Sequence, residues 1–322
     1  MKPQVLLVLL LGLVLLLRLQ GVPLEGWQAS ETENKLTPVR RQLADNINRL
    51  LPEPQGALLS GILLGVKSDL PKHFKEALVN TSTIHIAVVS GQNLSLLAGF
   101  ILNLAGLIGR RKAIILSWLA CLFYTFLTGL EIPVLRAFIM VSFTFLAQIL
   151  GRENESVWIL ILTALLMLIF QPLWITSISF QLSFLATLAV VAVAPRVIER
   201  LKFVPEIIRE DFGVSFSAQL LTFPIIALNF HNLSLIGLLV NTLVLWTITP
   251  IMILGVVSLS LSFLFGNVVM LLPGVFLTYF VYIVNFFAQV PLASIYIPSM
   301  PIIVWVGYYL LLSGIIMMLR KS

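Results

Sequence analysis

From residue 84 onward the chain is a succession of long apolar runs separated by short polar breaks. They fall at about 84–109, 113–130, 132–150, 156–172, 176–194, 212–230, 233–264, 267–290 and 299–319, near the roughly 20 residues that cross a bilayer as a helix. No regular alternation of polar and apolar positions runs through them, so helices are expected rather than a β-barrel. Two windows, Phe212 to Leu319 and Ser156 to Pro195, hold no Asp, Glu, Lys or Arg. The pattern predicts an all-α polytopic membrane protein, a helical bundle of roughly 8–11 membrane helices with short interfacial or re-entrant helices beside it.

Before residue 84 the pattern differs. Val5 to Leu17, behind Lys2, is short for a span; "RLQGVPLEGW" is a poor cleavage site, so residues 1–19 read as a retained anchor or signal-anchor. Residues 20–82 carry seven acidic and seven basic side chains, the only long water-facing stretch. Within 20–53, a short extracytoplasmic segment, "TPVRRQLADNINRLLPEP" predicts an amphipathic helix with Val39, Leu43, Ile47 and Leu50 on one face. Pro52 and Pro54 end it. The membrane unit then runs over 54–319. It opens with two short helices split at Asp69-Leu70-Pro71, the first carrying Gly61 and Gly65 at helix-packing spacing.

Composition sharpens this picture. The chain has 322 residues, 59% hydrophobic and 11% charged, against about 25% charged in soluble domains. Net charge is +6, but the basic residues are spread along loops, which signals orientation rather than polyanion binding. Arg110-Arg111-Lys112, Arg152, the 196–209 connector and Arg320-Lys321 are expected inside, with residues 20–82 outside. That arrangement requires 233–264 to cross once, as a long element broken near Pro250. A lone cysteine, Cys121, and three histidines without HExxH or HxHxDH spacing leave no metal centre and call for no cofactor. No Walker lysine loop occurs, and no internal repeat supports an inverted-repeat transporter.

The candidate chemistry is the polar residues at membrane depth. In "IHIAVVSGQNLSLL", taken as one helix, His85, Gln92 and Asn103 project within about 20° of one line. Ser90 and Asn93 point elsewhere, and Gly91 is a candidate break. Arg136, in "EIPVLRAFIM", is the one Lys or Arg inside a span, with Glu131 on the far side of Pro133. Gln181 lies mid-span in "ISFQLSF"; Ser215, Gln219 and Thr222 align ahead of Pro224; Asn241 precedes Pro250. Each is either interhelical glue or the lining of a hydrophilic path.

These motifs, in this order, resemble the competence domain of the ComEC family: "LLPEPQGALLSGILLGVKSDLP", "IHIAVVSGQNLSLL", "PVLRAFIM", "FQLSFLATLAVVAVAP", "AQLLTFP" and "NTLVLWTITP". The resemblance covers about residues 50–290. It implies an inner-membrane channel through which single-stranded DNA enters during natural transformation. It places His85, Ser90 and Gly91 in a His…Ser-Gly motif and Arg136 in Pro-x-x-Arg-Ala. Gln181 falls in Phe-Gln-Leu-Ser-Phe, Gln219 and Pro224 in Gln…Pro, and Asn241 and Pro250 in Asn…Pro. The family's Ser-Gly-Leu-His reads Ser-Gly-Gln-Asn here, so Asn93 stands where a histidine is usual. An evident OB-like domain and the C-terminal metallo-β-lactamase-like domain are not expected in this chain.

The first reading is therefore a non-enzymatic channel, with His85, Ser90, Gly91, Gln92, Asn93, Asn103, Arg136, Gln181, Gln219 and Asn241 along the DNA path. Pro133, Pro224 and Pro250 are its structural breaks. Its partners would be single-stranded DNA, the lipid bilayer, a separate DNA receptor, a cytoplasmic helicase and nuclease, and, in a homo-oligomer, further copies of itself. The alternatives are a small-solute transporter or a membrane assembly scaffold. An intramembrane serine hydrolase is disfavoured, because Ser90 and His85 lie about 140° apart on one helix and only His231 could serve from another.

Overall fold

The computed structural model describes residues 8, 11–15, 35–66, 70–151, 155–202, 204–234, 236–290, 294–298 and 300–321. Its helices are α1 (Thr37–Leu50), α2 (Gln55–Leu64), α3 (Lys72–Asn80), α4 (Gly91–Leu102), α5 (Ala105–Ile108), α6 (Arg110–Leu127) and α7 (Ile132–Ile149). They continue as α8 (Ser156–Phe170), α9 (Ile178–Leu188), α10 (Ala194–Arg200), α11 (Glu206–Phe230), α12 (Gly237–Phe265), α13 (Leu271–Ala288) and α14 (Ile302–Lys321). One antiparallel ribbon pairs β1 (Asn232–Ser234) with β2 (Ser294–Tyr296). Six segments are long and apolar enough to cross a membrane: Gly91–Ile108, Ile132–Ile149, Ile178–Arg200, Ile208–Phe230, Gly237–Ser262 and Val268–Ala288. This is an all-α polytopic membrane protein. The anchor expected over 1–19 and the residues 67–69 before Leu70-Pro71 lie largely outside the described residues, although Leu15 packs beside Ile132 and Phe180.

Three boundaries depart from the sequence pattern. The run expected to be helical from residue 84 starts its helix at Gly91; residues 81–90 form turns and extended backbone. The stripe of His85, Gln92 and Asn103 on a single helix is therefore not formed. Second, the span ending near 194 continues to Arg200: Pro195 has no N–H, and the turn ahead of it widens into a π-turn, Ala189–Val193. The Arg196 guanidinium donates to the Ala192 carbonyl in that turn. Third, α12 passes unbroken through Pro250 for 29 residues. At 1.5 Å per residue that is about 43 Å, enough to cross once and too short to cross twice. The ribbon agrees, because it joins the chain entering α12 to the chain leaving α13.

Pro224 in α11 shows how a broken ladder is satisfied. Its missing N–H frees the Leu220 carbonyl, and the Tyr308 hydroxyl of α14 donates to that oxygen at 2.9 Å. Tyr309 donates to the next carbonyl, Leu221, also at 2.9 Å. In hydrocarbon no water can do this, so the partner must come from a neighbouring helix.

Helix α1 is not detached from the bundle. Its Arg40 reaches the Gly65 carbonyl and lies against Gly129, in the turn between α6 and α7. At its other end α1 packs on residues 266–270, and Leu51 lies under Gly274. Helices α1 and α2 pack on one another as a hairpin, and α1 also touches α6. All of α2 after Gln55 is buried, against α1, α12 and α13. The expected inward face of α1 holds at Ile47, buried, and at Leu43 and Leu50, partly buried against the core; Ala44 and Arg40 join it, while Val39 is 43% exposed.

The main helix packings close into a cycle. Helix α2 packs on α12, α12 on α11, α11 on α9, α9 on α7 and α7 on α4. Helix α4 returns to α2 through the Asn93 side chain, which donates to the Ile62 carbonyl at 2.8 Å. No comparably extensive packing crosses the cycle between α2 and α9, α4 and α11, or α7 and α12.

Candidate functional site

The segment 81–90 is seated by glycine. A Cβ on Gly61 would come within 2.2 Å of the Ala87 carbonyl oxygen, so only glycine lets this stretch lie flat on α2. Gly65 then ends α2 in the left-handed region, φ +73°, where a side chain is strained. Thr81 and Thr83, fully buried, share a hydrogen bond of 2.8 Å and fold back on α3 carbonyls. Two residues on, His85 is exposed, yet desolvation by the protein packed around it lowers its pKa; a hydrogen bond to the Ser82 backbone works in the opposite direction.

Ser90 opens α4 and donates to the Asn93 carboxamide oxygen at 3.2 Å. Asn93 is 2% exposed, and with Ile62 as its second partner it pins α4 to α2. Ser90 and Asn93 thus form one unit. Gly91 is the contact point with α7: a Cβ there would stand 2.6 Å from Arg136 Nη2 and 3.4 Å from the Pro133 carbonyl oxygen. Gln92 and Asn103 are exposed.

Arg136 is 8% exposed. Its Nε donates to Ser183 at 2.8 Å, Nη1 donates to Thr187, and Met140 sulfur lies 3.6 Å from Nη1. Its Cζ stands 5.9 Å from the Phe184 ring centre, in cation–π range. The guanidinium therefore binds α7 to α9 and fills the notch that Gly91 leaves in α4. None of these partners carries a negative charge, so the positive potential persists in the wall of the cycle. Ser183 and Thr187, one turn apart on α9, are partners that sequence reasoning did not assign; their i, i+4 spacing was the available signal.

The remaining predicted residues are spread around the cycle. Gln181 donates to the Ile175 carbonyl at 2.8 Å and so caps the entry to α9. Gln219 is part-exposed on α11, between Ser215 and Thr222, both buried. Asn241, 4% exposed in the first turns of α12, has a buried carboxamide oxygen with no hydrogen-bond partner. Among the described residues no group of His, Cys, Asp or Glu is placed to hold a metal ion.

Fold and site together define a polytopic helical membrane protein with polar side chains on several of its apolar helices. A family profile described as Competence protein matches residues 62–322, and the chain belongs to that family. It is 27% identical over 247 residues to ComE operon protein 3 of Bacillus subtilis (strain 168), a stretch covering 74% of this chain and 31% of that protein. It is 27% identical over 277 residues to the uncharacterized protein YcaI of Escherichia coli (strain K12), covering 78% and 35%. An uncharacterized protein of Aquifex aeolicus (strain VF5) is 35% identical over 128 residues, 39% of this chain and 30% of its own length. The chain thus spans about a third of the length of these curated relatives, and no solved structure matches it.

Proposed function

We propose that residues 54–319 form the channel domain through which single-stranded DNA crosses the cytoplasmic membrane in natural transformation. The observation that carries this reading is the cycle of helix packings, whose members carry or adjoin exposed His85 and Gln92 and part-exposed Gln219. Membership of the competence family supports the same process. Amides and a neutral imidazole solvate a sugar–phosphate chain without holding it, and release stays easy because phosphate–cation contacts dominate affinity for nucleic acid. Arg136 acts as part of the wall: it braces α7 against α9 and lends positive potential, rather than gripping each phosphate.

The orientation follows from the basic ends. Arg110 to Lys112, the connector 196–209 and the end of α14 fall at one end of the bundle, which is the cytoplasmic one. The ribbon and α3 then face outward, toward a DNA receptor, while a helicase and a nuclease meet the strand inside. The test is uptake of labelled DNA in cells producing Gln219→Ala or Arg136→Ala at wild-type protein levels. Both are expected to lower uptake at least tenfold. Undiminished uptake in both would overturn the channel assignment.

A further inference from the structure

Away from the cycle, helix α13 and the start of α2 enclose a recess of about 360 Å³, a size typical of small-ligand sites. Three carboxamides, Gln55, Asn285 and Gln289, and the Thr278 hydroxyl line it, with the rings of Tyr282 and Phe286. The rings are nearly parallel, 19° apart with centres 6.3 Å from one another. Gln55 Nε2 makes only a long hydrogen bond to Thr278, 3.4 Å, while Gln55 Oε1 is buried without a partner. A buried acceptor left open asks for a donor.

The surroundings say where that donor comes from. Tyr282 and Phe286 are 65% and 56% exposed and continue the face of Val275, 69% exposed, and Leu272, 54%. This is the outer face of a membrane helix, so the recess opens toward lipid rather than toward the helix cycle. No charged side chain lines it. An ammonium or phosphate entering would lose its water without gaining an opposite charge. Neutral hydroxyls fit: once the Gln55 carboxamide turns its oxygen toward the recess they donate to it, exchange hydrogen bonds with the other amides, and present C–H faces to the rings.

We propose that this recess binds a membrane lipid whose headgroup ends in neutral hydroxyls, a glycosyl or glycosyl-like group. The site is independent of the channel assignment. The test is native mass spectrometry of the full chain released from nanodiscs containing monoglucosyl-diacylglycerol, phosphatidylethanolamine and phosphatidylglycerol in equal amounts, with free glucose as a separate arm. One retained glycolipid per chain is expected, with at least tenfold less on Gln55→Leu, Asn285→Ala and Tyr282→Ala. Tyr282 is mostly exposed, so its truncation leaves the fold intact. Equal retention by wild type and variants, preference for either phospholipid, or binding of free glucose as strong as that of the glycolipid would overturn the proposal. So would crosslinking of a photoreactive single-stranded oligonucleotide to Tyr282.

Discussion

At the scale of single residues, closeness between backbones decides the structure around the candidate path. Gly61 and Gly91 are both places where a methyl group has nowhere to go, but the obstacles differ. At Gly61 the obstacle is a backbone carbonyl, and at Gly91 it is chiefly the tip of a long side chain. Gly61→Ala is therefore expected to cost more than Gly91→Ala, of which overpacking typically costs about 1–3 kcal/mol. Gly99→Ala meets nothing within 4 Å and should leave stability unchanged or slightly improved. Thermal unfolding of the three variants in detergent checks the order. Asn93 makes a sharper case. Its side-chain N–H holds the Ile62 carbonyl, a task an imidazole N–H can perform, so the asparagine and the histidine usual in the family are equivalent as donors. Asn93→His should keep uptake and stability, whereas Asn93→Leu should lose both.

At the scale of elements, proline-broken helices are held by hydroxyls from their neighbours. If Tyr308 satisfies the carbonyl that Pro224 frees, the two residues must be coupled. Tyr308→Phe alone should destabilise the protein by about 1 kcal/mol, in the range measured for interhelical hydrogen bonds in membranes. In a Pro224→Ala background the helix supplies its own N–H to Leu220, and the cost of Tyr308→Phe should fall close to zero. Denaturant unfolding of the four proteins closes the cycle, and equal costs in both backgrounds would remove Tyr308 from this role. The sequence made the spans legible because an apolar run of bilayer length marks each of the six helices long enough to cross. It made α1 legible as an amphipathic helix, but not what covers each of its faces. Arg40, read as part of a water-facing surface, instead lies between Gly65 and Gly129.

For the whole molecule, the question is whether the helix cycle encloses water. The one cysteine, Cys121, is buried, so the wild type offers a silent background for cysteine labelling. Gln219→Cys should react with a membrane-impermeant thiol reagent, while Val256→Cys and Leu119→Cys, exposed on the outer surface, should meet lipid and stay unlabelled. Equal silence at position 219 would mean a dry centre. The same logic applies to α1. Its Gln42, Asp45 and Arg49 are exposed, although the helix packs against the membrane bundle. Charged side chains beside membrane helices face protein or water rather than hydrocarbon. Asp45→Cys is expected to label as readily as Gln219→Cys.

The sequence by itself determined the class of protein, the position of nearly every span and the motifs that tie the chain to its family. These depend on the length of apolar runs and on local order, which need no knowledge of neighbours. Only the tertiary structure decided that Arg136 is held by Ser183 and Thr187, that His85 stands off the helix it was assigned to, and that Tyr308 completes the ladder at Pro224. The physical reason is the same in each case. In a membrane bundle every helix is apolar on most faces, so periodicity carries little information about which face meets which. The partners of the few polar groups are fixed by helix arrangement, and a chain of uniform hydropathy does not encode that arrangement in any local pattern.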